Sequence, residues 1–403
     1  MTKILHVATF VFPDVFAGAE RFIHGLSRAQ ADAGHDVTLL VGSRGAQPAE
    51  ERMDGVRMVR YPLTPTRGLR FYRDVRRQVT AALVTLERES FDILHAHQIA
   101  SSEPALSSSF PARRVLSFHA SHQLEFEAER LDGAPFTADR SLQWGHRLKS
   151  WGIRMLDRRC LDRAERIVVH TDFVLRQVVA LRPSARARVR IIPPGLDFDR
   201  FAPGDRTAAR VRLGIPGDVH LIVAVRRLAR RMGIDLLLRA ASVLASRGVR
   251  FVVAIGGVGP ERDALEALQR ELGLQQQVRF IGRVPDDELP ELLRAADLVV
   301  VPSRSMEGFG LSTAEGLACG TPVLATDSGA SPEILGPIDP GLLVPLDAGE
   351  FAARIEGLLA DPERRRRLSE RSVESVRSRY GWPTVVSRMD EVYGELLGGR
   401  VRA

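Results

Sequence analysis

The sequence predicts two α/β halves, each a parallel sheet flanked by helices, and three observations lead there. At 403 residues the chain is longer than one hydrophobic core sustains, so two domains are expected. Short apolar runs alternate with helix-period patterns along nearly the whole length, the arrangement that builds parallel sheets. Pro193-Pro194-Gly195 interrupts that alternation near mid-chain and marks a hinge.

In the first half the expected strands are Ile4–Thr9, Val37–Val41, Val56–Tyr61, Ile93–Ala96, Val115–Phe118, Ile167–His170 and Val189–Ile192. Between the first two, Ala19 to Ala33 carries Phe22, Ile23, Leu26 and Ala29 on one helical face, with Gly34 placed to end the helix. The second half repeats the pattern more cleanly, with strands Leu221–Val225, Phe251–Ile255, Val278–Ile281, Leu298–Val301, Val323–Ala325 and Leu342–Val344. Helices fill the gaps, most clearly Ile234–Ser246 and Glu261–Leu272. The last element, Thr384–Leu397, sets Val385, Met389, Val392 and Leu396 at helical spacing, and that apolar stripe needs a surface to cover. Residues 44–80 and 120–150 carry no comparable landmarks, and His119 to Lys149 reads as a loop.

Composition narrows the function classes. A hydrophobic share of 44% with 27% charged residues is that of an ordinary globular protein, and no run of about eighteen apolar residues predicts a membrane span. The opening Met1–Ala8 run enters a strand pattern directly, without a signal peptide's long apolar region, so a cytoplasmic compartment is expected. Cys160 and Cys319 match no metal spacing. Of 57 basic residues only Lys3 and Lys149 are lysine, a bias of genome composition rather than of nucleic-acid binding, and no aromatic-interleaved basic motif for RNA or DNA is present. The net charge of +7 favours anionic partners such as sugar nucleotides or acidic lipid headgroups.

The most informative stretch is Ser305 to Gly329. Glu307 and Glu315 stand eight residues apart, and Gly308-Phe309-Gly310-Leu311 follows the first directly. A glycine-bracketed turn that opens a helix presents unpaired N–H groups at the positive end of the helix dipole, a site for phosphate or diphosphate. Carboxylates would repel such a ligand's phosphates, but they accept hydrogen bonds from hydroxyls, as a sugar and a ribose offer. A nucleotide-sugar pocket is the expectation.

These residues, with Gly320-Thr321-Pro322-Val323 and Ser331-Pro332-Glu333 beyond them, resemble the E-x7-E signature of retaining GT-B glycosyltransferases of the GT4-like family (glycosyltransferase group 1). The resemblance covers nearly the whole chain. It implies two Rossmann-like domains facing across a cleft. Residues 1–194 would form the acceptor domain and 195–383 the donor domain, with a helix in 384–403 crossing back to the first. It implies that Glu307 touches the donor sugar hydroxyls, Glu315 the ribose, and the Gly308–Leu311 amides the diphosphate. After the first strand of the second half the family carries Arg-Leu, three residues, then Lys-Gly, with Arg and Lys gripping the phosphates. Here Arg227 matches, but Met232 fills the lysine position. Arg231 is expected to replace that charge, with Arg230 as second choice.

The other parts of the site follow the same comparison. The Phe16-Ala17-Gly18-Ala19-Glu20-Arg21 segment resembles the family's Gly-Gly-x-Glu loop, where Gly18 lets the backbone approach the phosphates. His119 ends a strand at the face where α/β folds bind ligands, and it matches the family's histidine at the donor sugar. Arg283 and Val284 match the segment whose backbone contacts the base. Gly256-Gly257-Val258-Gly259 is not a dinucleotide fingerprint, because Arg262 stands where G-x-G-x-x-G needs glycine; it reads as a turn opening a helix. Asp197-Phe198-Asp199 reads as an Asx turn rather than a metal motif.

The expected activity is hexosyl transfer from a nucleoside-diphosphate sugar, UDP- or GDP-linked, to an acceptor hydroxyl of a glycan, lipid-linked or small-molecule acceptor. The configuration is retained, and neither metal nor other cofactor is required. Glu125, Glu127, Glu129 and Trp144 are the acceptor candidates. Rival readings are a sugar phosphorylase or epimerase on the same fold, and a non-catalytic nucleotide-sugar-binding protein. Arginine-rich stretches at 67–77 and 144–159, interleaved with aromatics, suggest peripheral association with an acidic membrane at its inner face.

Overall fold

A computed structural model describes residues 1–15, 18–45, 47–133, 140–305 and 307–398, the side chains of 129–133 and 140–144 excepted. The chain divides into two compact units. The first comprises Met1–Glu125, Asp139–Gly195 and Trp382–Ala403, and the second Phe126–Ala138 and Leu196–Gly381.

In the first unit the strands are β1 (Lys3–Ala8), β2 (Asp36–Ser43), β3 (Glu50–Met53), β4 (Val56–Pro62), β5 (Ile93–Ala96), β6 (Arg113–Ser117), β7 (Arg166–Val169) and β8 (Val189–Ile191). They lie in the order β3-β4-β2-β1-β5-β6-β7-β8, parallel except for the antiparallel edge strand β3. Sequence patterns do not announce β3, because Glu50-Glu51-Arg52-Met53 has neither apolar alternation nor β-branched residues. The helices between Gly18 and Leu181 are α1 (Gly18–Asp32), α2 (Gly68–Leu86), α3 (Ile99–Ser107), α4 (His122–Gly133), whose residues from Phe126 on belong to the second unit, α5 (Arg140–Arg163) and α6 (Asp172–Leu181). The expected loop from His119 to Lys149 is therefore mostly helical, with α4 and the start of α5 inside it. Their polar, charge-rich sequences hid the period.

The second unit holds β9 (His220–Val225), β10 (Phe251–Gly256), β11 (Val278–Gly282), β12 (Leu298–Val301), β13 (Val323–Thr326) and β14 (Leu343–Val344). Its helices are α7 (Arg206–Arg212), α8 (Ile234–Ser246), α9 (Arg262–Glu271), α10 (Leu289–Ala295), α11 (Leu311–Ala318), α12 (Ser331–Leu335), α13 (Ala348–Ala360) and α14 (Pro362–Tyr380). The sheet order is β11-β10-β9-β12-β13-β14, all parallel. Counted from β9 this is third-second-first-fourth-fifth-sixth, the order of a dinucleotide-binding sheet, with its reversal between β9 and β12. The central strands are apolar on both faces and fully buried, as a sheet covered by helices on both sides requires: Ile222, Val223, Ala224, Val300 and Val301 have no exposed surface.

After α14 the chain returns to the first unit as α15 (Trp382–Leu397). The stripe of Val385, Met389, Val392 and Leu396 packs into the same cluster as Ile4, Phe22, Ile23 and Leu26, covering one face of the sheet beside α1. Two glycines make room for it. A Cβ at Gly25 or at Gly195 would lie 2.2 Å from the Trp382 ring, so no larger residue fits at either position without displacing the tryptophan.

Candidate functional site

In the second unit the site forms at the C-terminal ends of β9 and β12, on either side of the strand-order reversal, where open α/β sheets bind ligands. The segments after the two strands touch closely. Gly233, at φ +67°, has room for no side chain because a Cβ would fall 1.9 Å from the Pro302 carbonyl. On the other side Gly257 at φ +132° and Gly259 lie against the backbone of Arg226 and Leu228, with hypothetical Cβ distances of 1.8 and 2.2 Å from their carbonyl oxygens. The glycines of 256–259 thus serve close backbone approach, and α9 opens just beyond them.

Glu307 follows β12 and its side chain is 12% exposed. Its Oε2 accepts from Ser303 Oγ at 2.9 Å and from Arg226 Nη2, with which it forms an ion pair. Gly329, at φ +60°, packs on Glu307, whose carbonyl accepts from Ala330 N at 2.9 Å. These contacts hold the carboxylate in one orientation, and both side-chain bonds fall on Oε2.

Gly310, at φ +91°, precedes α11. That left-handed conformation is what turns the chain from the loop into the helix, so the amides of the first turn stand at the loop junction. Ser312 Oγ donates to the Val225 carbonyl at 3.4 Å, tying this turn to the end of β9. Phe309 is buried edge-on against Tyr380, with ring centroids 5.2 Å apart. Glu315 is buried on α11, a turn beyond the start of the helix. Arg227 is exposed at the end of β9, and Arg230 and Arg231 sit in the short helical turn Arg230–Met232. The segment of Arg283 and Val284 follows β11; Val284 packs against Gly256 and the Gly282 carbonyl accepts from Gly257 N at 2.6 Å.

Sequence reasoning missed Arg226. It is the arginine whose guanidinium meets the thioether of residue 232, with Nη2 3.1 Å from Met232 Sδ. Tandem arginines at a strand end were the available signal, but only the fold shows which of them turns inward.

The first unit holds a second constellation, five histidines on one sheet face. Parallel register explains it. His6 on β1 pairs with His95 on β5, His95 with Val115 on β6, and Ser117 with Val168 on β7. Side chains alternate with period two, so His6, His95, His97, Ser117, His119 and His170 all fall on the face covered by α1 and α15.

Their hydrogen bonds fix the tautomers. The Ile192 carbonyl can only accept, so His170 Nδ1 donates to it at 2.9 Å and His170 Nε2 keeps its lone pair. His119 Nδ1 then donates to that atom at 3.0 Å, which leaves His119 Nε2 as a bare acceptor, buried and without a hydrogen-bond partner among the described residues. Burial first, then neighbouring His170 and His122, pushes the His119 pKa well below the ordinary histidine value. His119 is a neutral acceptor, suited to a hydroxyl. Deeper in, Gln30 Nε2 donates to Tyr393 Oη at 3.0 Å and its Oε1 accepts from His6 Nε2 at 2.7 Å. His6 Nδ1 accepts from His97 Nε2 at 2.8 Å, and Tyr393 Oη donates to His95 Nδ1 at 2.8 Å. His6, His95 and His97 are also the group, among the described residues, whose ligand atoms lie within 4.8 Å of one another. Both nitrogens of His6 and of His95 are already engaged, so a metal would have to break those bonds and fits the trio poorly; His97 Nδ1 is buried and without a hydrogen-bond partner among the described residues.

Gly18 opens α1, and the Phe16 and Ala17 that precede it lie outside the described residues. Glu20 is buried and accepts from Gln98 Nε2 at 2.8 Å; burial raises its pKa. Of the acceptor candidates, Glu125 and Glu127 lie on α4, whereas Glu129 and Trp144 are outside the described side chains. Asp197 Oδ1 accepts from the backbone N of Asp199 and of Arg200, both at 3.2 Å, the expected Asx turn. Among the described residues no helix is long and apolar enough to cross a membrane.

Comparison with known proteins matches residues 205–374 to the family model described as glycosyl transferases group 1, and residues 16–200 to glycosyltransferase family 4. The chain is 37% identical over 248 residues to D-inositol 3-phosphate glycosyltransferase 2 of Catenulispora acidiphila, covering 59% of this chain and 57% of that protein. Against D-inositol 3-phosphate glycosyltransferase of Mycobacterium tuberculosis it is 37% identical over 249 residues, 60% of this chain and 51% of that protein. The chain thus aligns with little more than half the length of these curated relatives. Among solved structures, sucrose-phosphate synthase from Thermosynechococcus elongatus superposes with a TM-score of 0.82 at 23% identity, covering 99% of this chain and 100% of that one. Anabaena HepE in complex with UDP-glucose gives 0.73 at 17% identity, covering 98% and 100%. These likenesses establish the fold as the GT-B type, two parallel-sheet α/β units.

Proposed function

Because the chain belongs to the GT4-like, group 1 glycosyltransferases, we propose that it moves a hexosyl unit from a UDP- or GDP-linked sugar to an acceptor hydroxyl with retention of configuration. The observation that carries this reading is Glu307, oriented through Oε2 by Arg226 and Ser303, beside the opening turn of α11. That pairing suits a ligand with hydroxyls at one end and a diphosphate at the other. Glu307 Oε1 would accept from the sugar, Glu315 from the ribose, and the Gly308–Leu311 amides would hold the diphosphate, with the backbone at Arg283 and Val284 near the base.

The hard step is departure of the diphosphate. The bond from the anomeric carbon to the phosphate oxygen breaks while the acceptor oxygen bonds the same face, and the departing phosphate takes the acceptor's proton. Fixed amides and Arg227 would stabilise the charge that develops there. His119 would accept a sugar hydroxyl through Nε2, and Gly18 would let the α1 loop approach the phosphates. Guanidinium groups and amides supply the positive charge, so the reading includes no required metal. Glu125, Glu127, Glu129 and Trp144 are proposed on the acceptor side, and a cytoplasmic enzyme acting at an acidic membrane surface fits the exposed Leu69, Leu148 and Trp151 in arginine-rich α2 and α5. The chain's likeness to HepE, solved with UDP-glucose, supports a nucleotide-sugar donor.

A donor panel monitored by nucleoside-diphosphate release tests the proposal. One donor should give release that requires acceptor, and Glu307→Gln should lower its kcat/KM by roughly a hundredfold or more. Turnover of donor without any acceptor, or full activity of a folded Glu307→Gln variant, would refute it.

A further inference from the structure

We propose that Arg226 is the buried cation of the diphosphate subsite, holding the charge that position 232 lacks; the inference rests on the donor-site reading above. Four observations converge on it. The Arg226 side chain is only 6% exposed, and its Nη2 is shared between Glu307 and the Met232 thioether. Its Nη1 is buried and has no hydrogen-bond partner among the described residues. A buried, charged N–H left unpaired is costly and rare in folded proteins, so such a group points to an acceptor that a ligand brings. The first turn of α11 reaches the same place, because Ser312 bonds the carbonyl of Val225, the residue before Arg226. Finally the backbone at 226 is locked. Arg226 N donates to Gly256 O at 2.9 Å, and Gly257 presses on the Arg226 carbonyl.

An anion at this point meets a guanidinium edge and helix-terminal amides together, the combination that binds phosphate oxygens strongly. Glu307 offsets part of the guanidinium charge and leaves Nη1 directed to a ligand. The same geometry explains methionine at 232. A lysine at 232 would carry its δ carbon about where Sδ lies, beside the guanidinium, and its ammonium two bonds further on, so two cations would crowd one buried place, where like charges repel strongly. Arg226 and a cation at 232 exclude each other, and this chain has chosen the arginine.

The test is calorimetric titration of the full-length protein with UDP, GDP, UMP and GMP. Arg226→Gln removes the charge and leaves a shorter, neutral amide in its place. It should weaken binding of the preferred diphosphate about tenfold to a hundredfold, as expected for one charge-assisted hydrogen bond, and leave the monophosphate unchanged. Arg226→Lys should keep the greater part of the affinity. The double variant Arg226→Gln/Met232→Lys returns a cation to the same pocket from the other side and should recover the diphosphate preference. That variant restores Glu307's ion pair, so it reports even where Arg226→Gln alone folds poorly. Diphosphate affinity unchanged in folded Arg226→Gln, no recovery in the double variant, or the loss appearing in Arg231→Ala instead would overturn the assignment while leaving the donor site standing. A wild-type protein that binds neither diphosphate would overturn both.

Discussion

Lowering the pH from 7 to about 5 should destabilise the first unit far more than the second, and the buried histidines set the size of the effect. Burial holds the pKa of His6 down to about 4, against its hydrogen bond to the Gln30 side chain, which raises it. Burial also brings His170 to about 4, opposed by its bond to the Ile192 carbonyl. The unfolded value is about 6.5. A histidine with a depressed folded pKa stays neutral in the native state while the unfolded chain takes up a proton. Its contribution is therefore complete above about pH 6.5 and is lost as the pH falls toward 4. Each of the two should cost about 2 kcal/mol by pH 5, or ~4 kcal/mol together. His95, His97 and His119, all pushed well below the ordinary value by burial, act in the same direction. His122 acts oppositely: burial lowers its pKa, but the bond and charge of Asp157, with Glu125, outweigh that, so its contribution is present in acid and fades as the pH rises through its folded pKa. The assay is convenient because Trp144, Trp151 and Trp382 all belong to the first unit, so tryptophan fluorescence in urea titrations follows that unit alone. A stability that is flat over this range would refute the reasoning. So would an equal slope in the His6→Asn/His170→Asn variant, since that removes two of the titrating groups.

Two further outcomes follow from particular residues. Gly25→Ala puts a methyl 2.2 Å from the Trp382 ring and should cost about 1–3 kcal/mol as an overpacked core does, read as a lower melting temperature that Trp382→Leu partly restores. Arg227→Ala should lower kcat/KM by roughly a hundredfold, because it removes a positive charge from where negative charge develops, and near-wild-type turnover of the folded variant would remove Arg227 from the site.

Much of the architecture was written in one dimension because it rests on local rules. Apolar runs such as Leu298–Val301 can be satisfied only inside a parallel sheet. The glycines around Phe309 announce a turn into a helix, and the stripe of Val385, Met389, Val392 and Leu396 requires a surface to cover. The carboxylates at 307 and 315 were legible for the same reason, since one short segment carries both and the turn between them. The sequence could not show what depends on register and on side-chain direction. Histidines on or just beyond β1, β5, β6 and β7 become one cluster because parallel pairing puts His6 beside His95 and because period-two alternation sends them to the same face; no spacing along the chain encodes that. Gly25 and Gly195, 170 residues apart, share a purpose only once Trp382 arrives between them. Of the arginines at 226, 227, 230 and 231, local pattern favoured any but the first. Arg226 turns inward because β10 locks its backbone and Glu307, arriving from β12, gives its charge a buried partner, and both are tertiary facts.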